Sequence, residues 1–114
     1  MTTSDLEART VRAAENQSLF REVNERVERL NEGFAVFSEV SEWVCECADT
    51  TCVQRISMTM AEYEAIRSDG NRFAVAVGHE LPDVEAVLDA NDRYVVVGKF
   101  SPGAEQARRL DPRS

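Results

Sequence analysis

Lysine is nearly missing from this 114-residue chain: one stands against twelve arginines. Thirteen basic residues face 21 acidic ones, for a net charge of −8. The chain therefore lacks the basic surface that phosphate binding needs, and nucleic acid is not expected as a partner. The five glycines are scattered at positions 33, 70, 78, 98 and 103, with no G-x-G-x-x-G and no P-loop among them. Histidine occurs once, His79. There is no Ser-His-Asp arrangement, and His79-Glu80-Leu81 is not the H-x-E of a zinc deaminase. No catalytic role is expected from a chain without these signatures. No apolar run approaches the roughly 18 residues that span a membrane. The start, Met1 to Glu7, has neither a basic nor an apolar leader region. These absences point to a cytoplasmic chain with no membrane partner. In a reducing compartment three cysteines are not a disulfide framework, and an odd count would leave one thiol over.

What is present is concentrated. All three cysteines fall in Cys45-Glu46-Cys47-Ala48-Asp49-Thr50-Thr51-Cys52, a C-x-C-x4-C pattern. The surrounding segment, residues 33–70, is the most acidic part, with two basic and seven acidic residues. His79 follows a strand-like run, Arg72-Phe73-Ala74-Val75-Ala76-Val77. Three thiolates and one imidazole form a tetrahedral zinc set, so Cys45, Cys47, Cys52 and His79 are the candidate ligands. Asp49, Glu46 or Glu80 are alternatives for the fourth position, and a water there would turn the site toward catalysis. Trp43, beside the cysteines, is expected to keep water off the thiolates.

The rest of the chain divides into a long N-terminal helix (1–33), an α+β core (34–100) and a C-terminal tail (101–114). The helix is expected over about residues 5–31, with Ser4 and Glu7 as a capping box and Gly33 past its end. Phe20, Val23, Val27, Leu30, Phe34 and Phe37 are spaced 3, 4, 3, 4, 3, an apolar stripe on one face. Arg21, Glu22, Glu25, Arg26, Glu28 and Arg29 fall on the other. The stripe would pack on the chain's own sheet, or serve a protein partner or self-association through the helix. Its continuation toward Leu6 is poorer, so the first turns are expected to project or fray.

Residues 35–40 read as a linker or short strand. Strands are expected at 42–45 and 53–58, a zinc-knuckle-like hairpin with the cysteines at its tip. Thr59 and Glu62 should cap a short helix over 60–68. Further strands are expected at 72–77 and 94–99. Residues 84–89 are ambiguous between helix and strand, and the Asn91-Asp92 turn favours a β-hairpin into 94–99. Ser101-Pro102 could open a last helical turn up to Leu110.

The motifs Leu19-Phe20-Arg21-Glu22-Val23-Asn24-Glu25-Arg26, Cys45-Glu46-Cys47 with Cys52, Glu62-Tyr63-Glu64-x-x-Arg67, and Arg72-Phe73-x-Val75-x-x-Gly78-His79 span residues 19–99. In this order they resemble a group of short uncharacterised bacterial proteins. The resemblance implies the same metal set, Cys45, Cys47, Cys52 and His79, and brings no activity with it. The expected protein is a zinc-stapled α+β interaction or regulatory module. The alternatives are a zinc-thiolate redox sensor and a small metalloenzyme with an open zinc position.

Overall fold

A computed structural model describes residues 3–32 and 40–113, with side chains over 5–30 and 40–113. The N-terminal helix, α1, runs Thr3–Glu32. Then come β1 (Ser41–Val44), β2 (Arg55–Met58), α2 (Met60–Ile66), β3 (Phe73–Val75), β4 (Glu85–Ala90), β5 (Val95–Lys99) and α3 (Gly103–Arg109). The architecture is α+β, as expected, with the strands in two small antiparallel sheets. The expected cap at Ser4 and the expected features at Gly33, Phe34, Phe37 and 35–39 lie outside the described side chains and residues. At about 1.5 Å per residue, α1 is about 45 Å long, which sets the 48 Å long dimension of the molecule.

Local chemistry explains most of the elements. The Thr59 hydroxyl accepts from the Glu62 amide at 3.1 Å, and the Glu62 carboxylate accepts from the Thr59 amide at 2.9 Å. This closed capping box starts α2. β1 pairs with β2 from Ser41↔Met58 to Val44↔Arg55. Residues 84–89, ambiguous by pattern, resolve as strand: β4 pairs antiparallel with β5, with an irregularity between Val87 and Asp89. Asn91 holds that hairpin, because its side-chain oxygen accepts from both the Arg93 and Tyr94 amides. β3 lies on the other side of β5. Trp43 stacks on Tyr63 with ring centroids 4.3 Å apart and packs with Ile56, Met58, Met60 and Ile66. It therefore does not shield the thiols. Cys45 and Cys47 belong to the other half of the core, with Phe73, Val75, Val95 and Val97.

The helix corrects the sequence reading. The buried positions include Thr10, Ala14, Gln17, Arg21, Asn24 and Glu28, with Ala13, Ser18 and Glu25 beside them. Their spacing of 4, 3, 4, 3, 4 is a seam one residue out of step with the apolar stripe. Val23 and Leu30 of that stripe are exposed, as is Leu19 beside them. Arg21, Glu25 and Glu28, assigned by pattern to the solvent side, face inward. The inversion is stable because the buried charges of α1, Arg21, Glu25 and Glu28, each have a partner of opposite charge elsewhere in the fold. Arg21 pairs with Glu46 and lies over the Phe73 ring at 4.3 Å. Arg67 and Arg113 both pair with Glu25. Lys99, the only lysine, pairs with Glu85 in a fully buried contact.

Residues 5–8 are exposed, but from Thr10 onward the helix is held by α3. A Cβ on Gly103 would lie 2.2 Å from the Thr10 methyl, so glycine is what lets the two helices approach this closely. Beyond α3, Asp111 pairs with Arg67, and Arg113 with Glu25, Glu28 and Glu64.

Candidate metal centre

Two chain segments build the centre. Cys45 follows β1 directly, and its amide extends the hairpin ladder by donating to the Gln54 carbonyl at 3.1 Å. Beyond Cys47 the chain turns at Asp49, whose carboxylate accepts from the Thr51 amide (2.9 Å) and hydroxyl (2.7 Å). The Cys52 amide then donates to the Asp49 carbonyl at 3.0 Å. This local turn folds the third thiol back toward the first two. His79 arrives from the end of β3. The His79 amide donates to the Ala76 carbonyl at 2.9 Å, and Gly78 between them has φ of +90°. A side chain there would be strained, so glycine permits the turn that swings the imidazole toward the thiols.

The segments are joined by backbone. The Glu46 amide donates to the Ala74 carbonyl at 2.8 Å, and the Ala76 amide donates to the Cys45 sulfur at 3.1 Å. The second contact places a backbone donor against the Cys45 sulfur, the outer support that metal-bound sulfur uses.

The four ligand atoms lie within 4.8 Å of one another. His79 Nδ1 is 3.6 Å from both Cys45 Sγ and Cys52 Sγ. A tetrahedral ion bound at about 2.3 Å to sulfur and about 2.0–2.1 Å to nitrogen gives S···N edges of about 3.6 Å. The two S···N edges to Nδ1 thus match those of one bound ion, and the remaining donor pairs lie within 4.8 Å. Cys45 and Cys47 are buried, while Cys52 and His79 are half-buried. All three cysteines are free thiols.

The thiols act mainly on one another. A hydrogen bond from Cys45, helped by His79, overcomes burial and draws Cys47 down to about 5. The same Cys45–Cys47 bond, and then burial, push Cys45 up. Burial also pushes Cys52 up. One thiolate is therefore ready at neutral pH, and the others ionise when a cation takes up the charge.

The alternative fourth ligands point elsewhere. Asp49 is committed to its turn, and the Glu80 carboxylate accepts from the Gly78 amide at 3.0 Å. Glu46, between two of the cysteines, is fully buried and faces away from the sulfurs. It accepts from Arg21 Nε at 3.1 Å, Asn24 Nδ2 at 3.0 Å and the Ala74 amide at 3.0 Å. Asn24 also pairs with both backbone groups of Val44, at 2.8 and 2.9 Å. Asn16 donates to the Ala48 carbonyl at 2.9 Å.

The segment 44–48 is thus laced along nine residues of α1, from Asn16 to Asn24. The two spans match, at about 13 Å of strand against about 12 Å of helix. Sequence reading missed this support. Its signal was present in the polar 4-3-4 spacing of Gln17, Arg21, Asn24 and Glu28 on α1 and in an acid placed between two ligands.

A cleft of about 410 Å³ opens beside the centre, lined by Cys47, Asp49, His79, Glu80 and Leu81 among others. Comparisons with protein-family models, curated proteins and solved structures return no match for this chain.

Proposed function

We propose that the chain is a small zinc-binding module of the cytoplasm with no catalytic role. In this reading the metal is structural and α1 serves protein contact. The observation that carries it is the convergence of Cys45, Cys47, Cys52 and His79, from two separate segments, within 4.8 Å. Three soft thiolates and an imidazole gathered this closely favour zinc over magnesium or calcium, which take oxygen donors. Four protein donors fill a tetrahedron and leave no position for a reactive water, which supports a structural role. Free thiols suit a reducing compartment, and no helix among the described residues is long and apolar enough to cross a membrane.

The test is elemental analysis of protein purified without added metal, paired with chelation. One zinc per chain is expected. Its removal, or Cys47→Ser, should cost most of the folding free energy, because binding and folding are coupled in such sites. A metal-free protein that melts identically with and without chelator would sink the reading.

The half-burial of Cys52 and His79 at the rim of the cleft favours a second reading, a redox sensor. A peroxide would take two electrons from a pair of thiolates, forming a disulfide and expelling the ion. Stoichiometric zinc release with loss of two thiols under mild peroxide would support the sensor; retention would support the staple.

A further inference from the structure

The outer face of α1 has an unusual composition for a surface. Leu19 is 57% exposed, Val23 37% and Leu30 71%. With Arg26, these residues are spaced 4, 3, 4, the seam spacing of a helix pair. The inner face of the same helix is already packed, its charges Arg21, Glu25 and Glu28 paired with groups elsewhere in the fold, so this apolar stripe is not spare core. Glu22 flanks the seam toward its N-terminal end and Arg29 toward its C-terminal end. Both are exposed, and neither makes an ion pair among the described residues.

We infer that a second copy of this chain covers the stripe, with the two α1 helices antiparallel. This extends the reading above by naming the partner of the helix. A two-fold axis across the helix sets Leu19 against Leu30 of the second copy, and Val23 against the aliphatic stem of its Arg26. Glu22 then faces Arg29 of the second copy, and the axis makes this charge pair twice. Parallel pairing would instead stack Arg26 on Arg26 inside the seam, like charge on like. The order acid first, base later along one face is thus self-complementary in the antiparallel sense alone. The seam runs about 17 Å, from residue 19 to residue 30. That is short of a standard stable interface, so the dimer is weak, with half-association at about 0.1–1 mM.

Sedimentation equilibrium of the full metal-loaded chain, across that concentration range, tests the inference. The average mass is expected to climb toward twice the chain mass. Leu19→Ser with Leu30→Ser should weaken association at least about tenfold, since each dimer loses four buried leucine contacts. Glu22→Arg and Arg29→Glu should each weaken it, and the two together in one chain should restore it, a rescue that a general loss of folding cannot produce. A monomer at every concentration would overturn the inference, leaving the stripe to a different protein or to residues 33–39 of the same chain. A dimer whose double charge swap stays as weak as the singles would overturn the antiparallel pairing. Metal content measured on the same samples keeps the two readings apart. A zinc-loaded monomer refutes the second copy alone, and a metal-free dimer refutes the zinc staple alone.

Discussion

Two of the polar clusters that hold this protein together solve the problem of charge in opposite ways. In one, the end of the chain returns to α1. Arg113 donates to Glu25 at 2.7 Å, Glu28 at 2.7 Å and Glu64 at 2.9 Å, while Arg67 donates to Glu25 at 3.2 Å. The Tyr63 hydroxyl adds a bond to Glu25 at 2.7 Å. In the other, the groups that shift the thiols most are the thiols themselves, neighbouring backbone groups and His79. The first cluster contains its own cations and closes on itself. The second is a set of soft donors close enough together to hold a metal ion, and in the proposed reading a cation completes it. Buried charge must be neutralised within the cluster, and the two sites differ in where the neutralising ion comes from.

The acid–arginine cluster also balances itself with a proton. Burial raises Glu25, but hydrogen bonds from Arg113, Tyr63 and Arg67 outweigh it and hold the carboxyl at about 2. Burial and the neighbouring Glu64 push Glu28 up to about 8. Of the carboxyls crowded around Arg113, Glu28 is thus the one that keeps its proton at neutral pH.

Among changes outside the ligands themselves, the largest expected effect lies where the metal centre meets the helix. Glu46→Ala leaves Arg21 buried without its counter-charge, a loss of about 3–5 kcal/mol. Because Glu46 sits between two ligands, metal affinity should also fall by about tenfold or more. Competition with a chromophoric chelator reads this. An unchanged affinity would mean that the two ends of the molecule are independent.

Arg113→Ala should cost less, about 1–2 kcal/mol, because this guanidinium is a third exposed. It should leave metal content untouched, and urea denaturation with elemental analysis checks both. A loss of metal would erase the distinction between the clusters.

The smallest effect is a pH dependence. Glu25 has a lowered pKa, so the stability it contributes is present above about 4.5 and is lost as pH falls toward 2. Glu28 has a raised one, so its contribution is present below about 4.5 and is lost as pH rises toward 8. Glu28→Gln should therefore gain on the parent chain steadily between pH 5 and pH 8 in denaturation midpoints. Parallel curves would place the proton elsewhere.

The strands, the Thr59–Glu62 cap and the Asn91 hairpin were legible in the sequence because each is decided within a few residues. The cysteine trio was legible for the same reason, since a C-x-C-x4-C turn keeps its sulfurs close in almost any fold. His79 was legible as a candidate by residue type, but its position beside the thiols depends on β3 lying against Glu46 and on the Gly78 turn. The orientation of α1 was misread. Apolar periodicity pointed to Val23 and Leu30, while the inward face belongs to Gln17, Arg21, Asn24 and Glu28.

By itself the sequence determined most segments as helix or strand, residues 84–89 apart, and that three thiols would share one turn, since short-range sterics and hydrogen bonding suffice for both. Only the tertiary structure decided which side of α1 turns inward. A buried charge is tolerable only opposite its partner, and Glu46, Arg67 and Arg113 stand 25 to 88 residues from the helix positions they neutralise.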